Sequence, residues 1–143
     1  DEPFMSADEY GRSLKGLRVN LLVRDVARSV AFARDVLGAT VAYAGRDFAV
    51  LRYATARAAA EWMLHADGTY HANPLLPLLD DSAPRGLGAE IRLYDCDPDA
   101  AVARAAAHGA HVLQEASDKP HGLREAYILD PDGYCWVPGR PKS

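Results

Sequence analysis

The chain has 143 residues, 49% hydrophobic and 25% charged, the profile of one globular domain and not of a disordered, collagen-like or coiled-coil chain. No apolar run approaches the ~20 residues of a membrane span, so no membrane partner is expected. The net charge is −4 and the arginines are scattered without a basic stripe, which argues against a nucleic-acid partner.

A chain of this size buries roughly two thirds of its unfolded surface and needs no disulfide framework. Its two cysteines, Cys96 and Cys135, lie far apart and form no CxxC pair, so they read as reduced thiols. Asp1 to Gly16 lacks the basic-then-apolar pattern of a secretory signal. Together these features predict a cytoplasmic protein.

Leu17 to Val23 reads as a strand, and Asp25 follows as a helix N-cap. Val26, Val30, Ala33 and Leu37 then share one helical face, and Gly38 ends the helix because it tolerates positive φ. Strand-like segments follow at Thr40 to Gly45, Phe48 to Tyr53 and Ala60 to Ala66.

A long connection from Asp67 to Gly88 holds three prolines and four clustered leucines, Leu75, Leu76, Leu78 and Leu79. Leucines at that density are expected to cover a pocket, meet a second subunit or form a short helix packed on the same subunit.

The first phrase then returns. Ala89 to Tyr94 is a strand, Asp97 an N-cap, Pro98 a residue with no N–H to lose, and Asp99 to His108 an alanine-rich helix stopped by Gly109. Asp97 and Gly109 follow Asp25 and Gly38 by 72 and 71 residues. Strands are predicted at His111 to Glu115, Glu125 to Leu129 and Tyr134 to Val137, with Asp130-Pro131-Asp132-Gly133 turning between the last two. Each half therefore reads βαβββ, the first over about residues 17–66 and the second over about 89–138.

The duplicated module, the phrase Val23-Arg24-Asp25 before a helix ending Leu37-Gly38, and the closing Asp-Pro-Asp-Gly hairpin resemble the vicinal oxygen chelate superfamily. That group contains the glyoxalases, the bleomycin-resistance proteins and the extradiol dioxygenases. The resemblance implies a single α+β domain in which two βαβββ modules form a curved mixed sheet around a cavity. It also implies a homodimer.

In metal-dependent members, the ligands come from the first and last strands of each module, because a divalent ion needs donors converging from several strands. By that resemblance the first ligand position is Arg18, whose guanidinium has no lone pair to give, with Asn20 on the same strand face. The second falls near Met63, where Glu61 and His65 share one face. The third is Glu90, a retained ligand type, with Arg92 beside it. The fourth is Val137, which cannot ligate; Cys135 shares its face. No metal or other cofactor is therefore expected.

Arg18 and Glu90 stand at matching places on the opening strands. They are read as a pair, either anchoring a polar ligand group or merely neutralising two half-buried charges. His65 and His71 flank Asp67-Gly68-Thr69-Tyr70 and read as metal ligands, as a general base, or as surface or loop histidines. His121 and Arg124 precede a strand near the expected pocket mouth, and His108 and His111 read as structural. No GxSxG, HExxH or phosphate-loop phrase is present.

The chain thus reads as a small-molecule-binding protein of this superfamily without the usual metal-ligand set. Its ligand contacts are expected from Arg18, Asn20, Glu61, His65, Glu90, Arg92 and Arg124. A metal-dependent glyoxalase-like lyase or dioxygenase with ligands moved to His65 and Glu90 is the alternative. An enzyme using Glu90 as an acid–base group without metal is a third reading.

Overall fold

Each half of the chain is built on a capped helix followed by a three-stranded meander. The computed structural model describes residues 4–69 and 73–143. In the first module β1 (Val19–Val23) leads into α2 (Val26–Asp35), then β2 (Thr40–Ala44), β3 (Phe48–Ala54) and β4 (Ala59–Ala66). In the second, β5 (Glu90–Leu93) leads into α3 (Pro98–His108), then β6 (His111–Asp118), β7 (Leu123–Leu129) and β8 (Cys135–Pro141). A further helix, α1 (Ala7–Ser13), precedes both.

The predicted signals act as expected. The Asp25 carboxylate accepts from the Arg28 N–H at 3.1 Å, and Asp97 accepts from Asp99 and Ala100 at 3.0 and 3.2 Å, capping α2 and α3. In the closing hairpin, Asp130 Oδ1 accepts from the backbone N–H groups of Asp132, Gly133 and Tyr134, each at 3.0 Å. Gly133 has φ 97°, and a Cβ there would lie 2.6 Å from Pro84, so only glycine fits.

The fold is α+β, with strand orders β1-β4-β3-β2 and β5-β8-β7-β6 in two four-stranded mixed sheets. The first strand of each module runs parallel to the last, and the remaining pairs are antiparallel. On the helix-facing sides, Leu21, Val23, Leu51, Trp62 and Leu64 of one sheet and Leu93, Ile128 and Trp136 of the other join α2 and α3 in one buried cluster. Trp62 meets Trp136 there with ring centroids 5.0 Å apart. Each large side chain so buried contributes roughly 1.5–3 kcal/mol. Polar contacts also lock the modules together: Asp132 accepts from the Arg24 backbone and guanidinium at 3.0 and 3.2 Å, and the Tyr134 hydroxyl donates to the Leu22 carbonyl at 2.8 Å.

Several boundaries differ from the predicted ones. β1 starts at Val19, with Leu17 projecting into solvent, and β6, β7 and β8 are longer than the hydrophobic pattern indicated. Their extra residues, such as Asp118, Arg124 and Arg140, are polar, but they pair in the ladder all the same. Helix α1 was not foreseen, although Ser6 and Glu9 carry the spacing of a capping box; the Ser6 hydroxyl accepts from the Glu9 N–H at 3.2 Å. The leucine-rich connection makes 3₁₀ turns at Asp67–Thr69 and Leu76–Leu78. Leu75, Leu78 and Leu79 line a cavity of about 290 Å³ with Asn20, Leu22, Arg85 and Tyr134.

Candidate functional site

Period-two alternation gives each sheet a second face, turned away from its helix. On the first sheet this outer face carries Arg18, Asn20, Phe48, Val50, Arg52, Glu61, Met63 and His65, aligned by the pairings Asn20–Met63, Val50–Met63, Phe48–His65 and Arg52–Glu61. Four residues predicted for ligand contact, Arg18, Asn20, Glu61 and His65, are therefore brought together.

The two arginines of this face share one carboxylate. Arg18 donates to Glu61 at 3.2 Å and to the Tyr10 hydroxyl at 3.0 Å, and Arg52 donates to the other Glu61 oxygen at 3.3 Å. Burial pushes the Tyr10 hydroxyl above its ordinary pKa. His65 is only 8% exposed, and its Nδ1 donates to the side-chain Oδ1 of Asn20 at 2.5 Å. Burial holds the imidazole below its ordinary pKa, so it is neutral at neutral pH.

Helix α1 lies across this face. Tyr10 meets Phe48 edge-on at 5.5 Å, Phe4 stacks on Tyr43 at 4.6 Å, and Phe48 packs on His65 at 4.7 Å. Between helix and sheet is a cavity of about 500 Å³, lined by Met5, Ala7, Tyr10, Gly11, Leu14, Phe48, Met63 and His65.

The outer face of the second sheet carries a different set. Arg92 donates to Glu90 at 2.5 Å, to the Tyr94 hydroxyl at 3.1 Å and to Glu125. The Glu125 side chain is 2% exposed, and His121 Nε2 is 3.5 Å from it. The Tyr127 hydroxyl donates to Glu90 at 3.4 Å. Gly139, opposite Glu125 in the ladder, makes room for it: a Cβ there would lie 3.2 Å from Glu125 Cβ. Cys135 is the ladder partner of Glu90, and burial together with that carboxylate pushes its thiol above the ordinary pKa. Such a thiol is a poor nucleophile or metal ligand at neutral pH.

Two expectations are corrected here. Arg18 does not pair with Glu90: among the described residues β1 pairs with β4 and β5 with β8, so each residue finds its partner in its own sheet, Arg18 at Glu61 and Glu90 at Arg92. Arg124 does not join the outer face. Its neighbour Glu125 takes that side of β7, so Arg124 points toward α3, where it holds Asp99 at 2.8 Å, with Asp118 at 3.3 Å. His108 lies 3.8 Å from Asp35 and against the Phe32 ring, a structural place as expected. His71 lies outside the described residues.

The residues missed in the sequence are Tyr10, Phe48, Arg52, Glu125 and Tyr127. Strand alternation alone would have put Arg52 opposite Glu61 and Glu125 beside Arg92. Tyr10 needed α1, for which the Ser6–Glu9 spacing was the available signal.

The donor set does not fit the divalent ion used by metal-dependent relatives of this fold. Arg18 has no lone pair, Glu90 is engaged by Arg92 and Tyr127, and Val137 is apolar and 1% exposed. Among the described residues no group of three or more His, Cys, Asp or Glu is placed to hold a metal ion. His65 and Glu90, the rearranged ligands of the alternative reading, stand on different sheets.

Solved structures share this architecture. A glyoxalase/bleomycin resistance protein/dioxygenase family enzyme from Burkholderia phytofirmans PsJN superposes with a TM-score of 0.68 at 19% identity, over 87% of this chain and 97% of its own. A glyoxalase-related enzyme from Fulvimarina pelagi gives 0.65 at 17% identity, over 88% and 87%. A glyoxalase/bleomycin resistance protein/dioxygenase from Nocardioides gives 0.63 at 21%, over 94% and 91%. At these identities the likeness establishes the fold. Among curated proteins none matches the chain. The family model for the Glyoxalase/Bleomycin resistance protein/Dioxygenase superfamily matches residues 17–137, from the approach to β1 into β8. With the match running across both modules and ending within β8, the chain belongs to the glyoxalase/bleomycin resistance protein/dioxygenase superfamily.

Proposed function

We propose that this protein binds a small organic molecule on the outer face of its first module and does so without the superfamily's metal-ligand set. The observation that carries this reading is the cavity of about 500 Å³ under α1, whose lining includes the buried His65, hydrogen-bonded to Asn20. Its size falls within the roughly 300–1,000 Å³ of small-molecule pockets. Of the residues expected to bind, His65 lines this cavity, and Arg18, Asn20 and Glu61 stand on the same sheet face beside it. Glu90 and Arg92 form a second polar patch on the other sheet. The protein works as a cytoplasmic homodimer in this account, supported by its two unpaired thiols and by the exposed Leu75 and Leu78.

Two measurements test the proposal together. Elemental analysis of purified protein should find well below one Ni, Zn, Fe or Mn per chain. A thermal-shift panel of small organic compounds, run with and without EDTA, should yield stabilising compounds whose effect EDTA does not change. A compound present at a hundred times its Kd adds about 2.7 kcal/mol, several degrees of Tm for a domain of this size. One metal per chain, lost when Glu90 is changed to Gln, would overturn the metal-free reading and restore the lyase or dioxygenase alternative.

A further inference from the structure

We infer that the cavity under α1 takes an uncharged, flat aromatic molecule and that α1 is its movable outer wall. This rests on the small-molecule reading above and assigns its ligand class. Among the described residues that line the cavity there is no Asp, Glu, Lys or Arg. Met5, Tyr10 and Leu14 close it from the helix side, and Phe48, Met63 and His65 from the sheet. A charged ligand group would lose its water there and gain no counter-ion. The nearby Arg18 is already committed to Glu61 and the Tyr10 hydroxyl.

The walls suit a planar ring. Tyr10, Phe48 and His65 form a chain of rings with centroid spacings of 5.5 and 4.7 Å, the separations at which aromatic groups attract. Met5 and Met63 add thioethers, which adapt their shape and make favourable contacts with ring edges.

The wall itself is lightly held. Helix α1 has seven residues and none of them is buried. A helix shorter than ~12–15 residues is marginal in water without tertiary support. That support here is the Tyr10–Arg18 hydrogen bond and the ring contacts of Tyr10 and Phe4. An element so attached opens at small cost, which gives a ligand its way in.

The test is a fluorescence titration of the full chain with N-phenyl-1-naphthylamine, an uncharged probe made of a naphthyl and a phenyl group that brightens when shielded from water. The expected result is a saturable rise at one probe per chain. The same titration with anilinonaphthalene sulfonate, a near analogue bearing an anion, should give a Kd at least about tenfold weaker, because its charge is desolvated. Met63→Arg and Tyr10→Ala should each weaken N-phenyl-1-naphthylamine by about tenfold or more. Leu113→Ser, an exposed site on β6, should leave binding unchanged. Met63→Gln, close to methionine in volume, should also weaken binding and serves if Met63→Arg loses its circular dichroism signal.

Absence of a saturable rise, equal or tighter binding of the sulfonate, or binding indifferent to the Met63 and Tyr10 changes would each overturn the inference. The small-molecule reading itself stands or falls separately. It survives if a stabilising compound from the thermal-shift panel keeps its effect in Tyr10→Ala, and it falls only if the panel yields none.

Discussion

Replacing Arg92 by Met should destabilise the protein more than replacing Arg92 and Glu125 together. Glu125 is a carboxylate with a side chain only 2% exposed, held on the outer face of the second sheet by the Arg92 guanidinium. Breaking a buried ion pair by removing one partner costs about 3–5 kcal/mol, because the remaining charge is left without water or counter-ion. Here Arg92 is 25% exposed and His121 lies 3.5 Å from the same carboxylate, so the loss should be smaller, about 2–3 kcal/mol. For a domain of this size that is a fall in Tm of roughly 5–12 °C. Adding Glu125→Gln to Arg92→Met replaces the stranded charge by a neutral amide and should recover at least about 1 kcal/mol. Urea denaturation followed by circular dichroism measures all four members of the cycle. If Arg92→Met is as stable as the parent, or if the double variant is the sum of the two single ones, the two side chains do not depend on each other and the burial argument fails.

Two further outcomes follow from other parts of the fold. Burial pushes Asp130 up to about 6, above the ordinary aspartate value of 3.8, against the pull of its hydrogen bonds from Trp136 and the backbone. A folded pKa raised in this way stabilises the fold below the unfolded pKa and loses that stabilisation as pH rises through about 6. The Trp136 indole N–H, which donates to Asp130 at 3.1 Å, should therefore titrate in NMR spectra with a midpoint near 6. It should be flat in Asp130→Asn, and an indole signal insensitive to pH in the parent would show that Asp130 stays ionised. For the proposed homodimer, Leu75 and Leu78 are the two of the four clustered leucines that face solvent, 53% and 77% exposed. Changing both to Ser should weaken dimerisation in analytical sedimentation and leave urea stability within about 0.5 kcal/mol of the parent; an unaltered dimer would place the interface elsewhere.

The local grammar of this chain was sufficient for its modules. Asp25 and Asp97 cap helices, Gly38 and Gly109 follow their ends, and Asp130 to Gly133 turns a hairpin, because each of these acts through its own neighbours in the chain. Alternation within β1, β4 and β5 likewise put Asn20, Glu61 with His65, and Glu90 with Arg92 on the faces where they stand. What the sequence left undecided is which faces meet. Arg18 and Glu90 occupy equivalent positions in two repeats, yet equivalence in a repeat is not contact. The helix-facing sides of both sheets joined in one core around Trp62 and Trp136, and each charge was left to find a partner in its own sheet. Arg124 and Glu125 differ by one position, and that single step sent one to Asp99 and the other to Arg92. Helix α1 makes the same point for the site. Its cap was legible at Ser6 and Glu9, but its place over Phe48, Met63 and His65 depends on side chains brought together across more than fifty residues of chain, and only the packed structure decides that.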